Sequence, residues 1–189
     1  MRLFVAFELP DRVREAIADA LASLSAQLPP ARWIPGENLH LTLAFLGEVA
    51  ADGVPALHSA LHRVFEGAEL HRLTLGSGGT SPPCRPARLA YVSVEGGGEL
   101  AAVRGGVQRA CAKALGRRPE HRTFHPHVTV ARARRRWPRE AVEKFLASTA
   151  DLEQTWRVRR GLLVESRLHP DGARYSVVEV YPLEGPGAD

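Results

Sequence analysis

Two strand-like stretches decide the fold of this chain: HLTLAFL at residues 40–46 and HVTVARA at residues 127–133. Each begins with histidine, any residue, threonine and an aliphatic residue, and the histidines lie 127 − 40 = 87 positions apart. Side chains alternate across a β-strand, so each stretch presents its histidine and threonine on one face. Aliphatic residues, together with Phe45 in the first stretch, are predicted to point the other way and anchor the strand.

The elements around the two stretches recur in the same order. Hydrophobic periodicity predicts strand, helix, strand, helix and strand from residue 2 up to a Gly/Pro/Ser-rich connector at 77–86. The same series follows from residue 88, with one further strand at the end of the chain. The two series start 88 − 2 = 86 positions apart, close to the separation of the histidines. We therefore predict a duplicated β-α-β-α-β fold.

Composition indicates a globular chain. It has 189 residues, of which 44% are hydrophobic and 24% charged. We assign residues 1–189 to a single bilobal domain with halves of roughly 1–80 and 86–185, and we expect a disordered tail at about 184–189. The first residues, MRLFVAFELPDR, are interrupted by a glutamate and predict a strand rather than a signal peptide. With no long apolar run, the expected location is cytoplasmic, away from membranes.

Net charge and cysteine content give little information about the binding partners of this chain. The net charge is +4, and Lys113 and Lys144 are the only lysines among 25 basic residues. Arginine suits bidentate contacts to phosphate, although an arginine-biased genome would give the same composition. Cys84 and Cys111 lack the spacing of metal ligands and are predicted to be reduced thiols.

The two stretches can form one site. If the halves are related by an approximate two-fold axis, their polar faces meet across a cleft and bring together His40, Thr42, His127 and Thr129. One imidazole can then take a proton from an attacking nucleophile while the other gives one to a leaving oxygen. Threonine hydroxyls can donate hydrogen bonds to phosphoryl oxygens. These groups suit in-line displacement at a phosphodiester without a metal.

Metal binding is a competing interpretation. His125 and His127 have alternate-residue spacing, and two further histidines could complete a site. Aspartate, glutamate and cysteine are absent beside both tetrads, which favours the acid–base interpretation. His58 and His62 lie four positions apart on a predicted helix, where a solvated face is expected.

Beyond the tetrads, the chain resembles the 2H phosphoesterases, and most closely their RNA 2',3'-cyclic phosphodiesterase branch, formerly called 2'-5' RNA ligases. The resemblance rests on RLFVAFELP at 2–10, WIPGENLHLTLAFLGEV at 33–49, RTFHPHVTVAR at 122–132 and LLVESRLHPDGARYSVVEVYPL at 162–183. It implies an α+β fold in which two antiparallel-rich sheets flank a central cleft. It also implies cofactor-free hydrolysis of a terminal 2',3'-cyclic phosphate to a 2'-phosphomonoester.

The resemblance also implies roles for the motif residues. His40 corresponds to the proton donor for the leaving 3'-oxygen, and His127 to the proton acceptor that activates water. Thr42 and Thr129 correspond to phosphate-binding residues. The expected partners are RNA ends or small cyclic nucleotides, and a monomer is expected. The reverse chemistry, 2'-5' RNA ligation, and a non-catalytic RNA-binding module remain as alternatives.

Three neighbouring features are left open. Arg132 closes the second motif, but strand parity puts it opposite His127 unless the strand is bulged. Trp33 can stack on a base or be an ordinary core aromatic residue. The run RARRRW at 132–137 can follow a nucleic-acid backbone, although a solvated turn is the favoured prediction.

Overall fold

A curled antiparallel sheet holds both motifs. The computed structural model describes residues 1–68, 72–83, 86–119, 123–169 and 172–183. In this part of the chain the strands are β1 (Arg2–Glu8), β2 (Ala31–Trp33), β3 (His40–Glu48), β4 (Arg72–Ser81), β5 (Ala87–Glu95), β6 (His127–Trp137), β7 (Thr155–Arg157), β8 (Arg160–Arg167) and β9 (Arg174–Pro182). The helices are α1 (Asp11–Ala22), α2 (Val54–Glu66), α3 (Gly97–Ala114) and α4 (Arg139–Ser148).

The motif strands lie at the centre of the sheet. The strand order is β7-β4-β5-β6-β3-β1-β8-β9, with β2 paired to β6 outside this path. Strands β3 and β6 are antiparallel and share one paired position, Leu41 with Val128. The α+β class is confirmed, and the two expected sheets are the halves of one continuous sheet that meet at this pair.

Strand pairing does not follow the order of the two predicted halves along the chain. Strand β4 belongs to the first series in sequence, but it pairs with β5 and β7. Strand β8 belongs to the second series, but it pairs with β1. The chain therefore crosses from one half of the sheet to the other between β7 and β8, at residues 157–160. Cys84 and the predicted tail at 184–189 lie outside the described residues.

The burial of strand β1 on both faces accounts for its uninterrupted run of apolar residues. Leu3, Val5 and Phe7 belong to the main hydrophobic core. Phe4 and Ala6 point to the opposite face and form a small second cluster with Val164 of β8. Because both faces of the strand are covered, no polar alternation is required, in contrast to a strand with one solvated face.

Two predicted boundaries are wrong. The stretch predicted as a connector at 77–86 belongs to strand β4 as far as Ser81. The run RARRRW continues strand β6 instead of forming a turn, because Trp137 anchors it. The Trp137 side chain is 1% exposed, and its indole Nε1 donates a hydrogen bond of 3.1 Å to the carbonyl of Pro29. Within the described residues, no helix has both the length and the apolar character needed to cross a membrane.

Candidate active site

The pairing of β3 with β6 brings the two motifs together. Extending the Leu41–Val128 pair by one residue each way places His40 opposite Thr129 and Thr42 opposite His127. All four polar side chains are half-buried, and the intervening aliphatic residues are buried on the other face. The predicted array of two imidazoles and two hydroxyls is thus assembled on neighbouring strands.

The two histidines are held in the same way. Nδ1 of His40 lies 2.7 Å from the carbonyl oxygen of Asn38, and Nδ1 of His127 lies 2.7 Å from that of His125. A carbonyl accepts hydrogen bonds and cannot donate them, so each Nδ1 carries a proton and donates it. In a neutral ring Nε2 is then the nitrogen that can accept a proton, and in a protonated ring it is a donor. No hydrogen bond between described residues occupies either Nε2.

An aromatic ring from the adjacent strand supports each imidazole. Phe4 of β1 stacks on His40 with ring centroids 4.8 Å apart, and Tyr91 of β5 lies 5.0 Å from His127. Tyr175 of β9 adds an edge contact of 5.4 Å to His40. These contacts restrict the tilt of the rings, while the backbone hydrogen bonds fix their rotation.

The surroundings of His40 disfavour its charged form. Burial is the largest cause, and it lowers the pKa of His40 below its ordinary value. The hydrogen bond to the Asn38 carbonyl raises this pKa, whereas the positive charges of His127 and Arg132 lower it. His127 and Arg132 are thus close enough to act electrostatically on His40, and in the ligand-free protein His40 resists protonation.

A β-bulge brings Arg132 to the face of the motif histidines. In the pairing of β5 with β6, the consecutive residues Ala90 and Tyr91 oppose Ala131 and Thr129, so Val130 is an extra residue. Beyond the bulge the alternation is reversed, and exposed Arg132 lies on the same face as His127. The bulge that a direct role of Arg132 requires is therefore present.

Strand β3 carries the matching bulge. Val5 and Ala6 of β1 oppose Ala44 and Thr42, so Leu43 is the extra residue. Phe45 then points to the cleft face, where its side chain is 70% exposed. The prediction that Phe45 points away from His40 is wrong, because regular alternation does not survive the bulge.

An open cleft of about 570 Å³ adjoins the array. Trp33 and Arg132 both line it, and so do Phe4, Phe45 and Tyr175. Its described lining also contains Arg2, Arg32 and Arg174 but no carboxylate side chain. Trp33 is half-buried and packs against Trp137 at 6.0 Å, so it belongs both to the edge of the core and to the cleft. The position of Phe45 was predicted wrongly because of the bulge in β3, and Tyr175 was missed because it lies on β9, outside both histidine motifs.

Other titratable groups lie away from this arrangement. Among the described residues, no three side chains of histidine, cysteine, aspartate or glutamate come together as candidate metal ligands. Cys111 is a buried free thiol whose pKa is raised by burial to about 12. His58 and His62 lie on α2, where His58 contacts Glu179 at 3.5 Å and His62 contacts Glu66 at 3.6 Å.

Sequence comparison identifies relatives over nearly the whole chain. Residues 9–169 match the family described as the 2'-5' RNA ligase superfamily. A protein of Thermus thermophilus named RNA 2',3'-cyclic phosphodiesterase is 33% identical over 98% of this chain and 91% of its own length. These matches confirm the resemblance predicted from the motifs.

Solved structures agree with the sequence comparison. The crystal structure of TT0787 of Thermus thermophilus superposes with a TM-score of 0.80 at 28% identity, covering 99% of this chain and 100% of that one. Escherichia coli LigT in complex with NADP+ superposes with a TM-score of 0.73 at 27% identity, covering 96% of this chain and 97% of LigT. The fold and the arrangement of strands are therefore shared with these proteins.

Proposed function

We propose that this chain, which belongs to the 2'-5' RNA ligase superfamily, hydrolyses the 2',3'-cyclic phosphate of RNA ends or small nucleotides to a 2'-phosphomonoester. The reaction uses His40 and His127 as acid and base and requires no metal. The name of the Thermus thermophilus relative supports the reaction, and the motif geometry supports the mechanism.

One observation carries the proposal: both imidazoles donate Nδ1–H to a backbone carbonyl, which leaves both Nε2 atoms for chemistry. Paired proton transfer at phosphorus needs one Nε2 that is bare and one that is protonated. Two rings fixed in the same tautomer on antiparallel strands can supply both states. A module that only binds RNA has no need for two rings prepared in this way.

The proposed step conserves protons and bonds. Nε2 of His127 takes a proton from water, and the water oxygen forms a bond to phosphorus. The bond from phosphorus to the ribose 3'-oxygen breaks, and Nε2–H of His40 gives its proton to that oxygen. Thr42 and Thr129 donate hydrogen bonds to the non-bridging oxygens, on which charge must be stabilised in the transition state. After product release, solvent returns the histidines to their starting states.

The lowered pKa of His40 is compatible with its role as acid. The charge of Arg132 and the burial of the ring oppose protonation in the ligand-free protein. A bound phosphodiester brings a negative charge into the array, and a nearby opposite charge favours the protonated imidazole. Substrate binding therefore favours the protonated form of His40, which the step needs. The ribose 3'-oxygen is a strongly basic leaving group, so it readily accepts the proton from His40.

The cleft beside the array suits the terminal nucleoside. Phe45 is exposed there, Trp33 and Tyr175 are half-buried, and all three can contact a base, while Arg132 can contact phosphate. LigT has been solved with NADP+, whose adenosine ribose carries a 2'-phosphate, the same chemical class as the proposed product. The 2'-5' ligation named in the family description is the reverse reaction, and water at its far higher concentration favours hydrolysis over a 5'-hydroxyl end.

A first experiment tests the reaction and the metal claim together. Adenosine 2',3'-cyclic phosphate is incubated with the protein in excess EDTA, and the phosphate position in the product is determined by 31P NMR. Conversion to the 2'-phosphate at an unchanged rate is expected. A 3'-phosphate product, or activity that EDTA removes and a divalent metal restores, would contradict the proposal.

A second experiment assigns the acid and the base. His40→Ala and His127→Ala are each expected to lower kcat on the cyclic substrate by about 10²- to 10⁴-fold. A nitrophenyl phosphodiester has a leaving group that needs no proton, so His40→Ala loses much less activity on it, while His127→Ala stays impaired. The opposite pattern would exchange the two roles, and equal loss in both variants on both substrates would rule out the division.

A further inference from the structure

A second, strongly basic surface lies at the end of β1, on the side of His40 that faces away from His127, and outside the cleft described above. We call it the basic rim and define it by Arg12, Arg14, Arg157, Arg159 and Arg160. These residues line an open groove of about 530 Å³. Glu8 and Asp11 are the acidic residues in its described lining, so five positive charges face two negative ones.

The sheet places the rim beside the active site. Glu8 at the end of β1 is the register partner of His40, and it contacts Arg160 of β8 at 3.7 Å. Phe7 pairs with Gly161 on the other side of β1, so the next positions, Glu8 and Arg160, are neighbours on the same face. Arg160, Glu8 and His40 therefore form a row across three adjacent strands, with the arginine two strands from the imidazole.

The rim lies where the chain crosses between the halves of the sheet. Residues 157–160 connect β7, which pairs with β4, to β8, which pairs with β1. Arg12 at the start of α1 ties this crossing to the helix by donating a hydrogen bond of 2.8 Å to the Thr155 carbonyl. The rim is thus built on strand ends and a helix start, rather than on a long loop.

The chemistry of the rim fits phosphate rather than bases. Arginine is the residue best suited to bidentate contacts with phosphate oxygens. Trp156, the only aromatic residue in the described lining, is 1% exposed and offers no face for stacking. Its buried indole Nε1 has no hydrogen-bond partner among the described residues. Such a lining suits contacts to the phosphates of a strand and offers little for the recognition of base sequence.

We infer that the basic rim binds the phosphodiester backbone of an RNA strand whose cyclic phosphate end lies between the two histidines. The inference rests on the proposed function and adds a substrate class to it: oligonucleotide ends are preferred over cyclic mononucleotides. A mononucleotide has no further phosphates and leaves the rim empty.

The test compares two substrates. Values of kcat/KM are measured for adenosine 2',3'-cyclic phosphate and for a short oligoadenylate with the same end, over a range of salt concentrations. The double variant Arg159→Gln/Arg160→Gln is expected to lower the oligonucleotide-to-mononucleotide ratio by about tenfold at low salt. Its salt dependence for the oligonucleotide should weaken by roughly 0.7 in logarithmic slope for each phosphate contact removed.

The matched control is Arg63→Gln/Arg109→Gln, because these two arginines are exposed on α2 and α3, line neither groove, and their replacement removes the same charge. It should leave the substrate ratio unchanged. A fluorescent oligoadenylate ending in a 2'-phosphate provides a direct binding measurement by anisotropy, and thermal melting verifies the folding of each variant. Arg159→Lys/Arg160→Lys should retain most of the affinity.

Failure of the inference is distinguishable from failure of the proposed function. If the cyclic mononucleotide is opened normally but the rim variant changes both substrates equally, the inference is wrong and the proposed function stands. An equal loss in the control on α2 and α3 would mean that overall charge, rather than the rim, determines the substrate ratio, and the inference would be wrong. If the unaltered protein opens neither substrate, the proposed function itself is wrong.

Discussion

Phe45 and Arg132 occupy equivalent positions on the two motif strands. Each follows its histidine by five residues and the bulged residue of its strand by two. Both are exposed and both line the same cleft. The two equivalent positions therefore carry an aromatic ring on β3 and a guanidinium on β6. Because the two ends of the cleft differ in chemistry, we expect a ligand with one apolar and one anionic end to bind in a single orientation.

Phe45→Ala is expected to weaken substrate binding without destabilising the protein. A base that stacks on an aromatic side chain loses about 1–3 kcal/mol on alanine substitution, which corresponds to about a 5- to 150-fold rise in KM for the cyclic nucleotide. The side chain is 70% exposed, so the free energy of unfolding should change by no more than about 0.5 kcal/mol. Phe45→Trp should keep a low KM; an unchanged KM in the alanine variant would exclude base stacking there.

Arg132→Gln is expected to raise the pKa of His40 in the ligand-free protein. The arginine charge is one of the causes that lower this pKa, and removing a like charge favours the protonated ring. NMR titration of the histidine ring protons provides the measurement. Arg134→Gln, a change of the same charge further along β6, serves as the control. A His40 pKa that does not rise would show that the guanidinium lies too far from the ring to affect it.

His40 should make the protein less stable in acid. Because its folded-state pKa lies below the ordinary value of about 6.5, the unfolded chain binds a proton at a pH where the folded protein does not. The stability that the neutral, buried ring of His40 contributes is fully present above the unfolded-state pKa of about 6.5. It is lost as the pH falls from there towards the folded-state pKa. Urea unfolding from pH 8 to pH 5 should therefore show a smaller loss for His40→Gln than for the unaltered protein.

His62→Gln is the matched control for that experiment, since it removes a histidine from the exposed side of α2. Its stability should follow the unaltered protein across the whole pH range. If His40→Gln also follows the unaltered protein, burial of the ring does not contribute to acid sensitivity.

Gly79→Ala should damage catalysis through Tyr91. A Cβ atom at Gly79 would overlap the Tyr91 ring, which is the ring that supports His127. A displacement of about 1 Å at a catalytic group can lower the rate by about 10²-fold, so kcat should fall by roughly one to two orders of magnitude. Gly98→Ala, where a Cβ meets no atom within 4 Å, is the control.

A second substitution separates this effect from general instability. Tyr91→Leu removes the ring that the new methyl group would strike, so Gly79→Ala should have little further effect in that background. Additive losses in the double variant would mean that Gly79 acts on the site by another route.

Local alternation and spacing were sufficient to predict that the four motif side chains come together. His40, Thr42, His127 and Thr129 share a face because the two strands are regular up to the threonine, and the equal spacing of the halves places them together. Phe45 and the placement of Arg132 could not be predicted, because each bulge adds one residue that no local propensity marks. The basic rim likewise depends on a pairing between β1 and β8, which are separated by most of the chain.

The pairing of β4 and β8 with strands from the other half of the sequence determines where the protein can be divided. A cut in the Pro-rich connector would follow the apparent boundary of the duplication, but it would remove β4 from its partner β5 and leave β1 without β8. The stretch from Arg72 to Arg157 instead leaves and re-enters the rest of the chain at two residues that are partners in the sheet. The segment from Arg72 to Arg157 is therefore arranged like a domain inserted into the rest of the chain. A protein split at the connector should recover activity only when both fragments are present.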